Sequence, residues 1–266
     1  MTPDRCDGIV LAAGAGTRYG MPKVLAEDGA WLASAVHALR VGGCARVFVV
    51  LGATGPAHRL GADSWLVSRD SGIALPAGTH PVWARDWGVG VSASMRAGLA
   101  AAAAVPALES ARADGAADTL LPAADAGSAV PSGRSGGSPV FAAGNSSTGT
   151  STLGITSAGN SRRGNSGPAG FVAIMPVDTP DVGPEVVARV VAAARESPSG
   201  LARAVFGRMP GHPVVLGRGH WAAVSAAAAG NSGAGTYLRQ RADMVCVTCD
   251  DLATGMDQDY PTGGAR

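Results

Sequence analysis

Short apolar runs that alternate with helix-patterned stretches constrain this chain more than any other feature. The first run, Gly8-Ile9-Val10-Leu11-Ala12-Ala13, ends directly in Gly14-Ala15-Gly16. A strand that is apolar at every position is covered on both faces, and strands of parallel sheets read this way. Residues 46–51 and 171–175 repeat the pattern, the second stopped by Pro176. Between and after them, apolar residues recur at helical spacing over 31–41, 91–103 and 183–195. The last of these carries Pro184 in its first turn, where a missing N–H costs nothing. Strands at 202–206, 213–216 and 244–248, and a helix from His220, complete the series. Strands and helices in alternation predict an α/β fold, a Rossmann-like, mostly parallel sheet with helices on both faces. Ligands of such sheets bind beyond the carboxyl ends of the strands.

One stretch breaks the alternation. From about 104 to 170 the chain is Ala, Gly, Ser, Thr and Pro with scattered single hydrophobes and no period of 2 or 3.6. Such a segment buries too little apolar area to offset about 1–2 kcal/mol per residue of lost backbone entropy. It reads as a flexible surface insertion in a single domain spanning 1–266, because the part after Gly170 has too few strands to make a sheet alone.

Charge narrows the function classes. With 21 basic and 20 acidic side chains the formal net charge is +1, which argues against a protein that coats nucleic acid or an anionic membrane. No apolar run approaches the ~18 residues that span a bilayer, and the first residues do not read as a signal peptide. Four cysteines are too few for a disulfide scaffold. A cytoplasmic location is the expectation. Cys246 and Cys249 have C-x-x-C spacing, but no second pair or nearby His completes a zinc site, so they read as buried structural thiols.

The loop after the first run, Gly14-Ala15-Gly16-Thr17-Arg18-Tyr19-Gly20-Met21-Pro22-Lys23, carries the clearest chemistry. Its glycines let the backbone approach a ligand and present N–H groups, and Arg18 and Lys23 bring two positive charges with no acid among them. That combination suits a polyphosphate; the alternative is an ordinary βα turn with two solvated cations. It is neither the dinucleotide fingerprint, which needs Gly where Tyr19 stands, nor a P-loop.

Leu11-Ala12-Ala13-Gly14-x-Gly16-x-Arg18-x-Gly20-x-Pro22-Lys23 resembles the signature of the molybdenum-cofactor nucleotidyltransferase-like family, the MobA-like NTP transferases. The resemblance implies the nucleotide-diphospho-sugar transferase type of fold. It also implies a loop that wraps a triphosphate, with Leu11, Ala12, Ala13, Gly14 and Gly16 around the nucleotide and Arg18 and Lys23 acting on its charge. The guanylyltransferase branch reads L-A-G-G where this chain has Leu11-Ala12-Ala13-Gly14, so the chain is more similar to the cytidylyltransferases, with CTP as the implied donor.

Other motifs extend the resemblance over about 1–100 and 171–260. Asp178-Thr179-Pro180 matches the family's Asp-x-Pro, whose acid takes the metal, with Thr179 beside the nucleotide; one acid plus phosphate oxygens is enough for Mg²⁺. Asp181 reads as the cap of the next helix. Trp87-Gly88-Val89-Gly90-Val91-Ser92-Ala93-Ser94-Met95-Arg96 is similar to the segment beside the base, which implies Gly90 and Ser94 in the base pocket. Ser92 reads as a helix cap, Ser94 as a cap or a base contact, and Arg96 as a solvated helix residue. Gly211-His212-Pro213 resembles an acceptor-side segment in which His212 contacts the acceptor's phosphate or ring, or only shapes a turn. Asn231 stands where the family usually has an acid. In the tail, Asp259, with Asp257 near it, is a second metal carboxylate or part of an exposed acidic end.

The resemblance as a whole implies transfer of CMP from CTP to an acceptor phosphate such as that of molybdopterin, with Mg²⁺ as cofactor. A molybdoenzyme or its maturation chaperone is the implied macromolecular partner. A GTP-dependent or other-acceptor transferase, or a nucleotide-binding protein without turnover, are the alternatives.

Overall fold

The computed structural model describes residues 5–113 and 168–260. The first run forms β1 (Cys6–Ala12), followed by the loop, a distorted 3-10 segment over Lys23–Gly29, and α1 (Ala30–Val41). Next come β2 (Cys44–Leu51), a two-stranded ribbon of β3 (His58–Arg59) and β4 (Trp65–Leu66), and β5 (Thr79–Trp83). The long helix α2 (Val91–Ala113) precedes β6 (Phe171–Pro176) and α3 (Pro184–Glu196). The chain continues through β7 (Leu201–Phe206), β8 (Met209–Gly217), α4 (Trp221–Ala227), α5 (Gly235–Leu238) and β9 (Val245–Thr248).

The main sheet has seven strands in the order β5-β2-β1-β6-β8-β7-β9. β1 pairs in parallel with β2 and β6, β2 with β5, and β7 with β9; β8 alone runs against its neighbours. The fold class is therefore the expected α/β one. Side-chain alternation divides the core into two halves. Val10, Val49, Met175 and Ala204 face α1 and α3, while Ile9, Val50, Ile174 and Val214 face α2, α4 and α5. Helix α2 lies close to the sheet because Gly98 has no side chain: a Cβ there would come 2.7 Å from Ile9 Cγ2.

Several sequence readings change. β5 is not among the strands expected from sequence; it carries Pro81, which is tolerated because β5 is an edge strand. β8 extends beyond 213–216 because Met209 and Pro210 pair with Phe206 and Val205. Most of the 104–170 segment lies outside the described residues, but its limits move inward. α2 runs on to Ala113, and at the other end Ala169 is fully buried while the Gly170 amide bonds the Arg5 carbonyl at 2.9 Å. Cys249 is buried, but Cys246 is exposed, since β9 is the other edge strand and leaves one face uncovered. No helix among the described residues is long and apolar enough to cross a membrane.

Candidate active site

A cleft of about 730 Å³ opens at the carboxyl ends of β1 and β6, where a parallel sheet places its ligands. Its first wall is the loop after β1. Gly16 adopts φ +62°, and a Cβ there would run into the Met21 carbonyl; the Gly20 amide closes the turn on the Gly16 carbonyl at 2.8 Å. This backbone is open only to glycine, and it brings Arg18 and Lys23 round to the cleft.

At the floor, Lys23 Nζ donates to Asp178 Oδ2 at 2.7 Å and to Asp259 Oδ1 at 2.9 Å. Arg18 Nη1 donates to Asp259 Oδ2 at 2.6 Å. The Lys23 side chain is 13% exposed and that of Arg18 68%. Partial burial works to lower the Lys23 pKa, but the hydrogen bonds and charges of Asp178 and Asp259 outweigh it and hold the ammonium above its usual value. Lys23 thus stays a cation at neutral pH. The Lys23 bond likewise pulls the Asp259 carboxyl below its ordinary range. Asp257 also lines the cleft, and loss of hydration together with the charge of Asp178 raises its pKa.

Asp259 reaches this position because the tail folds back over β6. Asp181 Oδ2 accepts from the Thr254 amide at 2.7 Å, from Thr254 Oγ1 at 2.5 Å and from the Gly255 amide at 3.0 Å. The Gln258 amide then bonds the Asp178 carbonyl at 2.9 Å. Asp181 is therefore no helix cap. Its turn comes too early: α3 starts from Gly183, with no side-chain cap. Nor is Asp259 part of a free acidic end.

The opposite wall is the first turn of α2, with Val91, Ser94 and Met95, facing Ala12 and Ala13. Since α2 begins at Val91, Ser92 sits inside the first turn, fully buried with an unpartnered hydroxyl, and caps nothing. Arg96 is not solvated either: it donates to the Ala228 carbonyl at 2.9 Å and ties α2 to the end of α4. Asn231 and the stretch to Leu238 close the third side. Gly90 does not line the cleft but lies against Gly230 and Asn231, where a Cβ would come 2.7 Å from the Gly230 carbonyl. Thr179 is buried below the surface with its hydroxyl unpartnered.

His212 is in mid-strand on β8 rather than in a turn, and its ring Nδ1 is 3.3 Å from the Ile174 carbonyl. A carbonyl can only accept, so Nδ1 carries the proton and Nε2 is left as the ring's acceptor. Burial pushes its pKa down, in the direction that favours the neutral ring. Sequence reasoning missed Arg203, Met95 and Val214 in the lining. For Arg203 a signal existed: it occupies an inward position in the alternation of Leu201-Ala202-Arg203-Ala204-Val205-Phe206.

The cleft can hold a polyanion against Arg18 and Lys23. Among the described residues no three metal-type side chains form a cluster, but Asp178 and Asp259 supply hard oxygens that already converge on one cation, the Lys23 ammonium. That donor set fits a hard divalent ion completed by phosphate oxygens.

The family model of the MobA-like NTP transferase domain matches residues 8–245. No curated protein matches the chain in sequence. Among solved structures, a homolog of Mycobacterium tuberculosis Rv0371c from Mycobacterium sp. strain JC1 is 18% identical, with TM-score 0.57, covering 97% of this chain and 91% of that one. Rv0371c of M. tuberculosis H37Rv, solved as a complex with manganese, is 15% identical with TM-score 0.51, covering 92% and 87%. A nucleotidyl transferase from Methanothermobacter, Mth528, is 15% identical with TM-score 0.53, covering 97% and 93%. At these identities the likeness is one of fold.

Proposed function

Because the chain belongs to the MobA-like NTP transferase domain family, and is a nucleotidyltransferase on that ground, we propose that it moves CMP from CTP onto the phosphate of molybdopterin. An acceptor phosphate oxygen forms a bond to the α-phosphorus, the bond from that phosphorus to the bridging oxygen breaks, and its electron pair leaves with pyrophosphate. The acceptor oxygen is already anionic, so no protein base is required. Positioning and charge stabilisation carry the rate.

The observation behind this reading is Lys23 held between Asp178 and Asp259 at the end of β1 and β6. Lys23 and Arg18 bind the triphosphate and stabilise the charge that moves onto pyrophosphate. Asp178 and Asp259 hold Mg²⁺ or Mn²⁺, which when bound screens the phosphate oxygens. Leu11, Ala12, Ala13, Gly14 and Gly16 cradle the nucleotide, with Ser94, and Gly90 behind Asn231, at the base. The choice of CTP rests on Ala13, which stands where the guanylyltransferase branch has glycine and whose methyl group packs beside Gly52. Thr179 closes the turn after Asp178, its carbonyl accepting from the Val182 amide at 3.1 Å. His212 faces the ring of the acceptor. The product passes to a molybdoenzyme or its maturation chaperone in the cytoplasm.

Calorimetric titration with CTP, GTP, ATP and UTP in Mg²⁺, followed by pyrophosphate release with molybdopterin, tests this. CTP is expected to bind at least tenfold more tightly than GTP, a difference of about 1.4 kcal/mol, and to turn over. Equal or tighter GTP binding overturns the cytidylyl assignment. A CTP complex that releases no pyrophosphate overturns the acceptor.

A further inference from the structure

Arg203 is a cation on the inward face of a sheet, where alternation calls for an apolar side chain. Paired positions run across the sheet as Ile9–Ile174–Val214–Arg203, and the first three are buried core. Arg203 Nη2 donates to the Gly211 carbonyl at 3.2 Å, while its Nε is buried with no partner. Among the described residues no ion pair to a carboxylate involves it. Burial lowers its pKa, yet a guanidinium remains charged at neutral pH. A half-buried, partly unsatisfied cation costs stability unless something anionic arrives.

The position says which anion. Arg18 and Lys23 follow β1, whereas Arg203 lies on β7, three strand spacings away, or about 14 Å at ~4.8 Å each. Asp178, after β6, stands between them. The cleft therefore has two positive poles on either side of an acidic centre. The Arg18–Lys23 pole has the glycine loop that suits a triphosphate; the Arg203 pole has only side chains and the neutral His212. With Nδ1 bonded to the Ile174 carbonyl, His212 brings no positive charge to this end, so the anion falls to Arg203.

We propose that Arg203 is the binding residue for the phosphomonoester of the acceptor. It places a fixed cationic donor on the anionic group that attacks, and so selects phosphorylated acceptors over neutral ones. The inference rests on the nucleotidyltransferase reading for the identity of the other pole.

The test is a ³¹P NMR titration of inorganic phosphate into protein saturated with α,β-methylene CTP and Mg²⁺, so that the donor pole is filled. Wild type is expected to bind phosphate, R203M at least tenfold more weakly, and R203K in between, with nucleotide affinity within twofold in all three. R203M should melt at the same temperature or higher, since it removes an unpaired inward charge. Absence of phosphate binding in wild type, unchanged binding in R203M, or a marked fall in its melting temperature overturns the proposal. Should wild type bind no nucleotide, the donor reading is what fails. The same titration on nucleotide-free protein then judges Arg203 by whether R203M, and not K23A, loses the phosphate.

Discussion

Lys23 shows how much one side chain can carry here. Its ammonium is drawn between two carboxylates, so it is charged and fixed in place before any substrate arrives. If that charge matters most as the leaving group forms, Lys23→Ala is expected to lower turnover by ~10²–10³, about 2.7–4 kcal/mol, with a smaller loss of CTP affinity. An unchanged rate removes Lys23 from the chemistry. Asp178→Asn, nearly isosteric, should abolish turnover while leaving the melting temperature within a few degrees. Asp181→Asn serves as an informative companion, because Asp181 clasps the tail that delivers Asp259. A partial loss is expected there, recovered at higher Mg²⁺; a complete loss would make Asp181 itself an ion ligand.

At the scale of the element, β1 carries function at one end and stability at the other. Asp7 is fully buried at its amino end, with Arg46 Nη2 at 2.8 Å and Arg5 Nε at 3.5 Å. This pairing locks β1 to β2 at the foot of the sheet, with the cleft at its far end. Removing one partner of a buried pair strands the other, so Asp7→Ala is expected to cost about 3–5 kcal/mol in urea unfolding. Nucleotide affinity of the remaining folded protein should not change. A cost below about 1 kcal/mol would mean that Arg5 and Arg46 find water when the acid is gone. The helix opposite, α2, contributes both packing through Gly98 and the cleft wall through Ser94, which is why its first turn cannot shift without moving that wall.

Among the described residues the molecule is built on one seven-stranded sheet, with β3 and β4 as a separate ribbon. The composition of 104–170 predicts a surface insertion there; residues 114–167 lie outside the described ones, while the buried Ala169 and the continuation of α2 to Ala113 place both flanks in the fold. Deleting 114–167 and joining the ends with a short Gly/Ser linker is expected to leave cooperative unfolding and nucleotide affinity intact. Loss of a single sharp unfolding transition in that variant would place the segment within the core.

The sequence by itself determined the strand–helix alternation, the parallel core and the loop chemistry around Arg18 and Lys23, because those depend on local periodicity and on glycines in turns. It also held the acids at Asp178 and Asp259, as types at recognisable places. Only the tertiary structure decided that these two acids meet on one lysine, from 155 and 236 residues away along the chain. It alone moved Asp181 from a helix end to the tail and lifted His212 out of a turn into β8. Arg203 makes the same point: its inward register was written in the alternation of β7, but that it faces a cleft rather than a core depends on which strands lie beside it. Local pattern fixes which way a side chain points, and strand order fixes what it points at.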